Sequence, residues 1–528
     1  MKNLWSMYRK TYWKDSIAVI VLSFLIVLSF WWVPQTYFQL DEWTFLGQYL
    51  LTRTDPSILF RVFQGMHFLP VEQAWLYIQY SLFWLQPMGY VVVSLVTHII
   101  VAILGYVLLR LLSIRALPTF LGIAFFALNP VSSQVVSWSP ASASGAVSVA
   151  LFLSACIVWL YYRSKRSIYS DICVGILMFL SMLAKVDVII GYFFIGVVAI
   201  FFTRKRTVSY TPIIVSFVLW LILYFFMRAF GLKEVVSAPS KSIAAMLSYI
   251  SNIPEWMANI IVNHNGLRGF LKKFLGSYAQ YFPLLDSDSL LKTISRIIAG
   301  LWYAWYVLLV WFKKEPVIKI VVFPIFVILS MLPYFFSLPV GMQSRHFYIP
   351  VFITGMWVAF FLDWMSKKKF FVIQNISLVA VALTLVGFVY ANQPWENFLS
   401  VEMNRKALGV ELQKITTPTT GTVVYYLENG VHTPYQSGIG QMLLVMQAHD
   451  DPAFVPYFKN YSYFLFGMYE QGYKKIGEKG FGYYYTIDDL RKDYQKGLFD
   501  ASAVRAYYFD TDKVIFHDIT KETINTLY

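Results

Sequence analysis

Two adjacent carboxylates, Asp41 and Glu42, follow the first long apolar run of the chain. The aromatic residues of segment 38–45 frame this pair and would partly exclude water from it. Partial desolvation favours the neutral form of a carboxyl group and so raises the proton affinity of the carboxylate. The ionised carboxylate can then take a proton from a substrate hydroxyl. The pair could therefore supply a general base. The alternative is a solvated acidic collar at a helix end, without a chemical role.

The composition indicates that lipid surrounds much of the chain. Of 528 residues, 58% are hydrophobic, 19% are aromatic and 14% are charged, and the mean hydropathy is +0.56. A soluble protein of this size could not bury so much apolar surface. The net charge of +14 comes from short basic clusters between apolar runs. That pattern indicates membrane topology and not nucleic-acid binding.

Apolar runs recur along the first 391 residues. A membrane span needs about 20 largely apolar residues, and by that criterion we predict about eleven transmembrane helices. They cover residues 16–33, 89–112, 117–127, 145–162, 169–184, 188–202, 211–230, 298–312, 317–336, 347–364 and 371–390. With a cytoplasmic N-terminus, every basic cluster falls on the inner side, as the positive-inside bias requires. We therefore expect a multi-pass integral membrane protein whose C-terminal segment is extracytoplasmic.

The rest of the chain completes the predicted fold class, a polytopic α-helical membrane protein with a small C-terminal α/β domain. We expect a membrane domain over residues 1–391 and an extracytoplasmic domain over 392–528. In the latter, 421–427 and 504–509 predict strands and 487–496 predicts a helix. The first outer loop, 34–88, and the segment 242–285 predict helices that lie in the membrane interface. For the second segment, a further pair of spans is the alternative.

Several short stretches occur in an order that resembles the glycosyltransferase C superfamily. They are LDEWTFLGQYL from residue 40, HFLPVEQAW from 67, ALNPVSSQVVSWSPASASG from 127, MLAKVD from 182 and SRHFYIP from 344. The chain is most similar to protein O-mannosyltransferases and to mannosyltransferases that carry tetratricopeptide repeats, although it has no such repeats. The resemblance covers residues 16–395.

The resemblance implies a polyprenyl-phosphate sugar donor and inverting transfer to an acceptor hydroxyl on the outer face of the membrane. It makes Asp41 the base, with Glu42 as its neighbour or alternative. A phosphate would stabilise cations at the outer ends of spans. The candidates for binding the donor phosphate are Lys185, Arg345 and His346, and those for binding substrate are Arg61, His67, Gln134, Trp138, Asp187 and Tyr348.

Other interpretations stay open for some of these residues. Lys185 could be a snorkelling side chain and Trp138 an interfacial anchor. As a substrate contact, the indole of Trp138 would pack against a pyranose and the amide of Gln134 would bond to hydroxyls. His98, inside the second span, is better explained by a hydrogen bond to a neighbouring helix than by ligand binding.

Departures from the family pattern leave two other classes of protein open. Gln134 stands where the family usually has an acidic residue, Ser142 and Ser144 replace an Arg and an Asp, and the carboxylate of Asp187 is displaced by one position. A non-catalytic scaffold for envelope assembly would fit these changes. A transporter or flippase of lipid-linked saccharides is the other alternative, but the spans are almost free of charge and no repeated halves occur.

The partners expected from the sequence are a polyprenyl-phosphate-linked sugar, an acceptor protein, lipid or glycan, and membrane lipids, with no nucleic acid. The seven histidines show no metal-ligand spacing. A divalent metal is therefore possible but unsupported, and no cofactor is predicted.

Overall fold

The computed structural model of this chain is predominantly helical. It describes residues 2–38, 41–63, 67–162, 167–185, 188, 190–191, 193–194, 196–197, 210–230, 252–262, 264–276, 278, 287–312, 318–337, 344–367, 371–394, 398–416, 421–428, 439–459, 472–476 and 478–528.

Helices of eight or more residues are numbered here in chain order. They are α1 Lys2–Ser29, α2 Asp41–Thr54, α3 Pro70–Phe83, α4 Pro87–Leu111, α5 Ala116–Ala127, α6 Val147–Tyr161, α7 Ile168–Ala184, α8 Thr211–Phe230, α9 Ile253–Ile261, α10 His264–Leu275, α11 Asp288–Phe312, α12 Ile318–Ser337, α13 Tyr348–Lys367, α14 Phe371–Ala391, α15 Phe398–Ile415, α16 Ile439–Asp450, α17 Ile487–Gln495 and α18 Thr520–Leu527.

Six segments among the described residues are long and apolar enough to cross a membrane: Trp13–Gln35, Pro87–Leu111, Ser139–Tyr161, Thr211–Phe230, Arg345–Lys367 and Gln374–Ala391. Each coincides with a run that the sequence predicts as a span. The predicted runs at 117–127, 169–184 and 317–336 contain shorter apolar helices, Ala116–Ala127, Ile168–Ala184 and Val322–Met331. Most of the predicted run 188–202 lies outside the described residues. The multi-pass helical character is thereby supported for six spans.

The chain divides into two compact units. The first unit contains Met1–Pro34, Tyr90–Leu223 and Pro239–Gln393. The second contains Gln35–Gly89, Tyr224–Ala238 and Pro394–Tyr528. The second unit thus joins the first predicted outer loop to the C-terminal segment, so segments distant in the sequence fold together. Each unit is described by itself below.

Helices α5 and α13 make a close contact in the first unit because both carry glycine where they cross. A Cβ on Gly122 would lie 2.4 Å from the carbonyl oxygen of Gly355, and a Cβ on Gly355 would lie 2.5 Å from that of Gly122. No side chain fits at either position. This contact fixes α13, whose first turn follows the predicted phosphate-binding segment.

Ionic contacts in the first unit join charged residues that lie near the ends of apolar segments. Arg110, at the end of α4, pairs with Asp15 of α1 at 3.0 Å. Arg115, just before α5, pairs with Asp363 near the end of α13 at 2.9 Å. Lys367, at the end of α13, also pairs with Asp363. These ion pairs connect α1 with α4 and α5 with α13 within the first unit.

The second unit contains a five-stranded mixed sheet in the order β4–β5–β3–β6–β7. Its strands are β3 Val423–Glu428, β4 Gly472–Ile476, β5 Lys479–Tyr484, β6 Val504–Asp510 and β7 Ile515–Asp518. The central strand β3 runs parallel to both neighbours, while the two outer pairs are antiparallel. Strands β3 and β6 and helix α17 confirm the three elements predicted in this segment. Two further short strands, β1 Val62–Phe63 and β2 His67–Phe68, pair with each other.

Helix α2 is the most buried helix of the first predicted outer loop. Within the second unit it packs against α16 and against the 3-10 segment Pro452–Lys459. Gly47 permits this packing, because a Cβ there would lie 2.3 Å from the ring of Phe458. Almost every side chain from Glu42 to Thr52 is buried or half-buried. Helix α2 is thus a core element of its unit.

Candidate functional site

The first unit brings together three of the residues nominated from the sequence. The guanidinium carbon of Arg345 lies 4.7 Å from the centroid of the Trp138 ring. The backbone N–H of Arg345 donates to Oε1 of Gln134, with the two atoms 3.3 Å apart. We call Gln134, Trp138, Ser142 and Arg345 the basic cradle. A guanidinium on an indole face is held in place electrostatically, and its charge and fork of N–H groups are of the kind that binds phosphate.

Local sequence explains why the chain turns here. Asn129 follows the end of α5, and its Oδ1 accepts from the N–H of Val131 at 3.0 Å, which caps the 3-10 turn Pro130–Ser132. Its Nδ2 donates to the carbonyl of Ile260 at 2.8 Å. Trp138 is extended, with φ −133°, between two short helical turns, and Pro140 starts the second. These breaks place Trp138 against the segment Ser344–Phe347 instead of within a continuous helix.

Two hydrogen-bonding groups of the cradle are buried and lack a partner among the described residues. They are Nε1 of Trp138 and Oγ of Ser142, whose side chains are 8% and 2% exposed. The N–H of Ser142 donates to the carbonyl of Trp138 at 3.0 Å, so the two residues stand one helical turn apart on one face. Leaving such groups unsatisfied costs about 1–3 kcal/mol each. They therefore point to a ligand that accepts hydrogen bonds beside Arg345.

A π-helical turn, Ser142–Ala146, begins at this serine. Single π turns inside helices are frequent at functional sites, because the wider turn redirects side chains. Ser144 donates to the carbonyl of Pro140 at 3.1 Å, and Ser148 donates to that of Gly145 at 2.9 Å. Ser142 differs from these neighbours because its hydroxyl has no hydrogen-bond partner among the described residues.

Tyr348 is fully buried, and its hydroxyl is hydrogen-bonded to His98. The hydroxyl oxygen lies 2.7 Å from Nδ1, and Nε2 lies 2.9 Å from the carbonyl oxygen of Ala127. Since a carbonyl only accepts, Nε2 carries the proton and Nδ1 accepts from Tyr348. This confirms the interhelical hydrogen bond predicted for His98. The substrate-binding role of Tyr348 stays a prediction.

The other nominated residues of the first unit are placed as follows. Lys185 is half-buried directly after α7, and its N–H donates to the carbonyl of Ser181 at 2.9 Å. His346, next to Arg345, is buried. Asp187 lies outside the described residues. The cradle therefore contains one of the three predicted phosphate-binding cations, together with Gln134 and Trp138.

The nominated acidic pair belongs to the second unit, as do Arg61 and His67. Asp41 is the first residue of α2, and Glu42 is buried in its first turn. Arg61 is buried immediately before β1, and His67 opens β2. The side chains of Asp41 and His67 lie outside the described part of the chain. The roles proposed for these four residues stay predictions.

A buried glutamate anchors the segment that precedes α2. Oε2 of Glu402 accepts from the backbone N–H of Tyr37 at 2.7 Å, and Oε1 pairs with Arg405 at 2.6 Å. Burial raises the pKa of Glu402, and the Tyr37 N–H and Arg405 only partly offset this effect. Burial also raises the pKa of the Tyr37 phenol. Glu402 thereby ties the entry to α2 to helix α15 within the second unit.

Groups of three or more His, Cys, Asp or Glu residues that could hold a metal ion are absent from the described ranges. The chemistry of the cradle is that of a cation with hydrogen-bond donors, which suits an anion and not a cation.

Comparison with known proteins does not assign this chain to a family. Models of known protein families give no match to the sequence, and curated proteins give no significant match.

Sequence reasoning treated Ser142 only as a departure from a family pattern. The structure gives it a buried, unspent hydroxyl one turn from Trp138. The four-residue spacing of Trp138 and Ser142 was visible in the sequence, but Pro140 between them conceals that a helical turn begins at Trp138 and reaches Ser142. Their shared face emerges only from the fold.

Proposed function

We propose that this chain is a membrane glycosyltransferase that moves a sugar from a polyprenyl-phosphate donor to an acceptor hydroxyl, with inversion at the sugar carbon. In this proposal the chain crosses the membrane about eleven times by the length criterion for spans. The N-terminus is cytoplasmic and residues 392–528 are extracytoplasmic. Transfer takes place on the outer face.

The observation that carries the proposal is the basic cradle. Arg345 lies on Trp138, and the unspent donors of Trp138 and Ser142 are placed one turn apart. A phosphate group can accept hydrogen bonds from a guanidinium, an indole N–H and a hydroxyl together. The cradle lies at the start of the candidate span Arg345–Lys367. That position suits a phosphate whose polyprenyl chain stays in lipid.

The chemical step requires the donor C–O bond to the phosphate to break while an acceptor oxygen bonds to the same sugar carbon. The phosphate leaves with the bonding electron pair, and cations stabilise that charge. The acceptor proton passes to a base, for which we propose Asp41, with Glu42 beside it. Lys185 and His346 would complete the phosphate site, and Arg61, His67, Gln134, Asp187 and Tyr348 would contact the sugars.

The first experiment measures binding of a polyprenyl phosphate, and of the matching polyprenol, to the full chain in nanodiscs. We expect Arg345→Ala to weaken polyprenyl-phosphate binding by about 10–100-fold, the equivalent of one charged hydrogen-bonding group. Binding of the polyprenol should not change. The control is Arg228→Ala, which removes an exposed arginine near the end of α8. Equal affinity of Arg345→Ala and wild type for the phosphate would refute the proposed donor site.

The second experiment measures sugar transfer from polyprenyl-phosphate mannose and polyprenyl-phosphate glucose. Asp41→Asn should abolish transfer while donor binding persists, since a base is needed only for the chemical step. If neither donor supports transfer by the wild-type chain although both bind, a transporter or an assembly scaffold would replace the proposal.

A further inference from the structure

The second unit contains a set of buried polar atoms without partners that the proposed mechanism does not use. They lie on the two contacting helices α2 and α16. Among the described residues, Nε1 of Trp43, Oγ1 of Thr44 and both amide atoms of Gln48 and Gln441 have no hydrogen-bond partner. All four side chains are at most 1% exposed. We call Trp43, Thr44, Gln48 and Gln441 the polar seam.

Helical spacing relates the seam to the proposed base. Asp41, Thr44 and Gln48 stand at positions i, i+3 and i+7 of α2, which share one face of a helix. A ligand bonded to Thr44 and Gln48 would therefore extend along the face of α2 that begins at Asp41. The indole of Trp43 packs against Phe38, with the ring centroids 5.1 Å apart, so its position is fixed by an aromatic neighbour.

Two other polar side chains of the same helices have hydrogen-bond partners. Thr52 of α2 donates to the carbonyl of Gln48 at 2.9 Å. Gln447 of α16 accepts from the hydroxyl of Tyr425 in β3 at 3.2 Å. Gln447 lies about 120° around the helix axis from Gln441, so the two amides serve different faces of α16. The seam residues therefore differ from Thr52 and Gln447, whose side chains have hydrogen-bond partners in the same two helices.

The chemistry of the seam selects an uncharged ligand. Each glutamine amide offers donors and an acceptor, Thr44 offers both, and the indole N–H donates. Hydroxyl groups likewise donate and accept, and they match such a set without requiring a counter-charge. The seam residues carry no cation that would balance a phosphate, in contrast to the cradle with Arg345. A polyhydroxylated, uncharged group fits best.

We infer that α2 and α16 enclose a binding site for an uncharged saccharide, whose hydroxyls complete the hydrogen bonds of Thr44, Gln48, Gln441 and Trp43. Under the proposed function, that saccharide is the acceptor, and this one step of the inference rests on the proposed function. Its reacting hydroxyl points along α2 towards Asp41. The acceptor is then a glycan end.

The test measures saturation-transfer NMR signals of mannobiose, cellobiose and N,N′-diacetylchitobiose on the full chain in nanodiscs. We expect at least one disaccharide to bind wild type. Gln48→Met, Gln441→Met and the nearly isosteric Thr44→Val should each weaken that binding at least tenfold. Each should leave the melting temperature of the empty protein unchanged or raise it, because a buried unsatisfied group is removed.

The matched control is Gln447→Met on α16, which removes an amide that has a partner. It should lower the melting temperature and leave disaccharide binding unchanged. Absence of binding by all three disaccharides to wild type would overturn the inference, since the seam would then hold water alone. So would a fall in melting temperature for the seam variants equal to that of the control. Failure of the donor to bind at the cradle would leave this measurement intact, so the two proposals fail separately.

Discussion

The basic cradle of the first unit and the polar seam of the second both keep hydrogen-bonding groups without partners among the described residues, yet they differ in charge and exposure. The cradle combines a half-buried arginine with two buried neutral donors. The seam is neutral and almost completely buried. Charge held at a partly open position suits an anion that arrives with its own hydration, whereas neutral groups in a dry interior suit hydroxyls. In our proposals, this difference assigns the donor phosphate to the cradle and the acceptor sugar to the seam.

The two regions also rest on different scaffolds. Helix α13, which follows the cradle, is positioned by the glycine contact with α5. Helix α2, which carries three of the four seam residues, is positioned by Gly47 against Phe458 and by the hydrogen bond from Tyr37 to Glu402. Disturbing one scaffold should leave the site in the other unit intact, so the cradle and the seam can be tested separately.

The largest effect should come from the glycine contact. Gly355→Ala places a Cβ 2.5 Å from the carbonyl oxygen of Gly122, so α5 and α13 must separate. We expect a loss of about 1–3 kcal/mol in stability, typical of overpacking, together with weaker polyprenyl-phosphate binding. Thermal unfolding and the nanodisc binding assay measure both. Binding of disaccharides should remain as in wild type.

The control for this substitution is Gly387→Ala in α14. A Cβ on Gly387 has open space, with no atom of another residue within 4 Å. The change should be neutral or stabilise the helix by up to about 1 kcal/mol, from helix propensity alone. A destabilisation by Gly387→Ala as large as that by Gly355→Ala would contradict the steric explanation.

An intermediate effect is expected when the neutral donors of the cradle are removed one at a time. Trp138→Phe and Ser142→Ala should each weaken polyprenyl-phosphate binding by about 2–10-fold, the range of one neutral hydrogen bond. The melting temperature should not fall for Ser142→Ala. Ser144→Ala serves as the comparison, because the Ser144 hydroxyl already donates to Pro140. If Ser144→Ala reduced the affinity for polyprenyl phosphate as much as Ser142→Ala, the role proposed for the Ser142 hydroxyl would be contradicted.

The smallest effect concerns two glutamates, one in each unit. Burial raises the pKa of Glu402, so near and above its usual value of 4.5 the folded protein binds more protons than the unfolded chain. Its contribution to stability is therefore lost as pH rises through that window. Glu402→Gln removes this titration, and its melting temperature relative to wild type should increase as the pH rises above 4.5.

Glu255 of the first unit should behave in the opposite way. Burial opposes its ionisation, but Lys292 and Arg296, at 3.0 and 2.8 Å, outweigh burial and lower its pKa. Its contribution is present above pH 4.5, the usual value, and is lost as pH falls through the lowered pKa. Relative to wild type, Glu255→Gln should therefore be least stable near neutral pH. Matching pH profiles for the two variants would contradict these assignments.

Much of the fold could be predicted because its signals are local. Hydropathy over about 20 residues identified the six apolar segments that can span a membrane. Alternating and β-rich stretches predicted strands β3 and β6, and a helical stretch predicted α17. Each of these signals lies within one element, so no knowledge of its neighbours was needed.

The candidate site was predictable only in part. Gln134, Trp138 and Arg345 were nominated from short motifs, but about two hundred residues separate Arg345 from the others, and their contact depends on how α5, α6 and α13 pack. Nothing in the sequence distinguishes Gln48 and Gln441 from Gln447, since all three are glutamines in helices. Which of them lacks a partner depends on the element opposite.

The amino-acid sequence by itself determined the helical character of the chain, its long apolar segments, two strands and a helix near its C-terminus, and the residue types available for chemistry. Tertiary structure alone decided that Arg345 lies on Trp138, that His98 bonds to Tyr348, and that Gln48 and Gln441 are buried without partners. The physical reason is that hydropathy is a property of one segment, whereas burial and hydrogen bonding belong to pairs of segments brought together by folding.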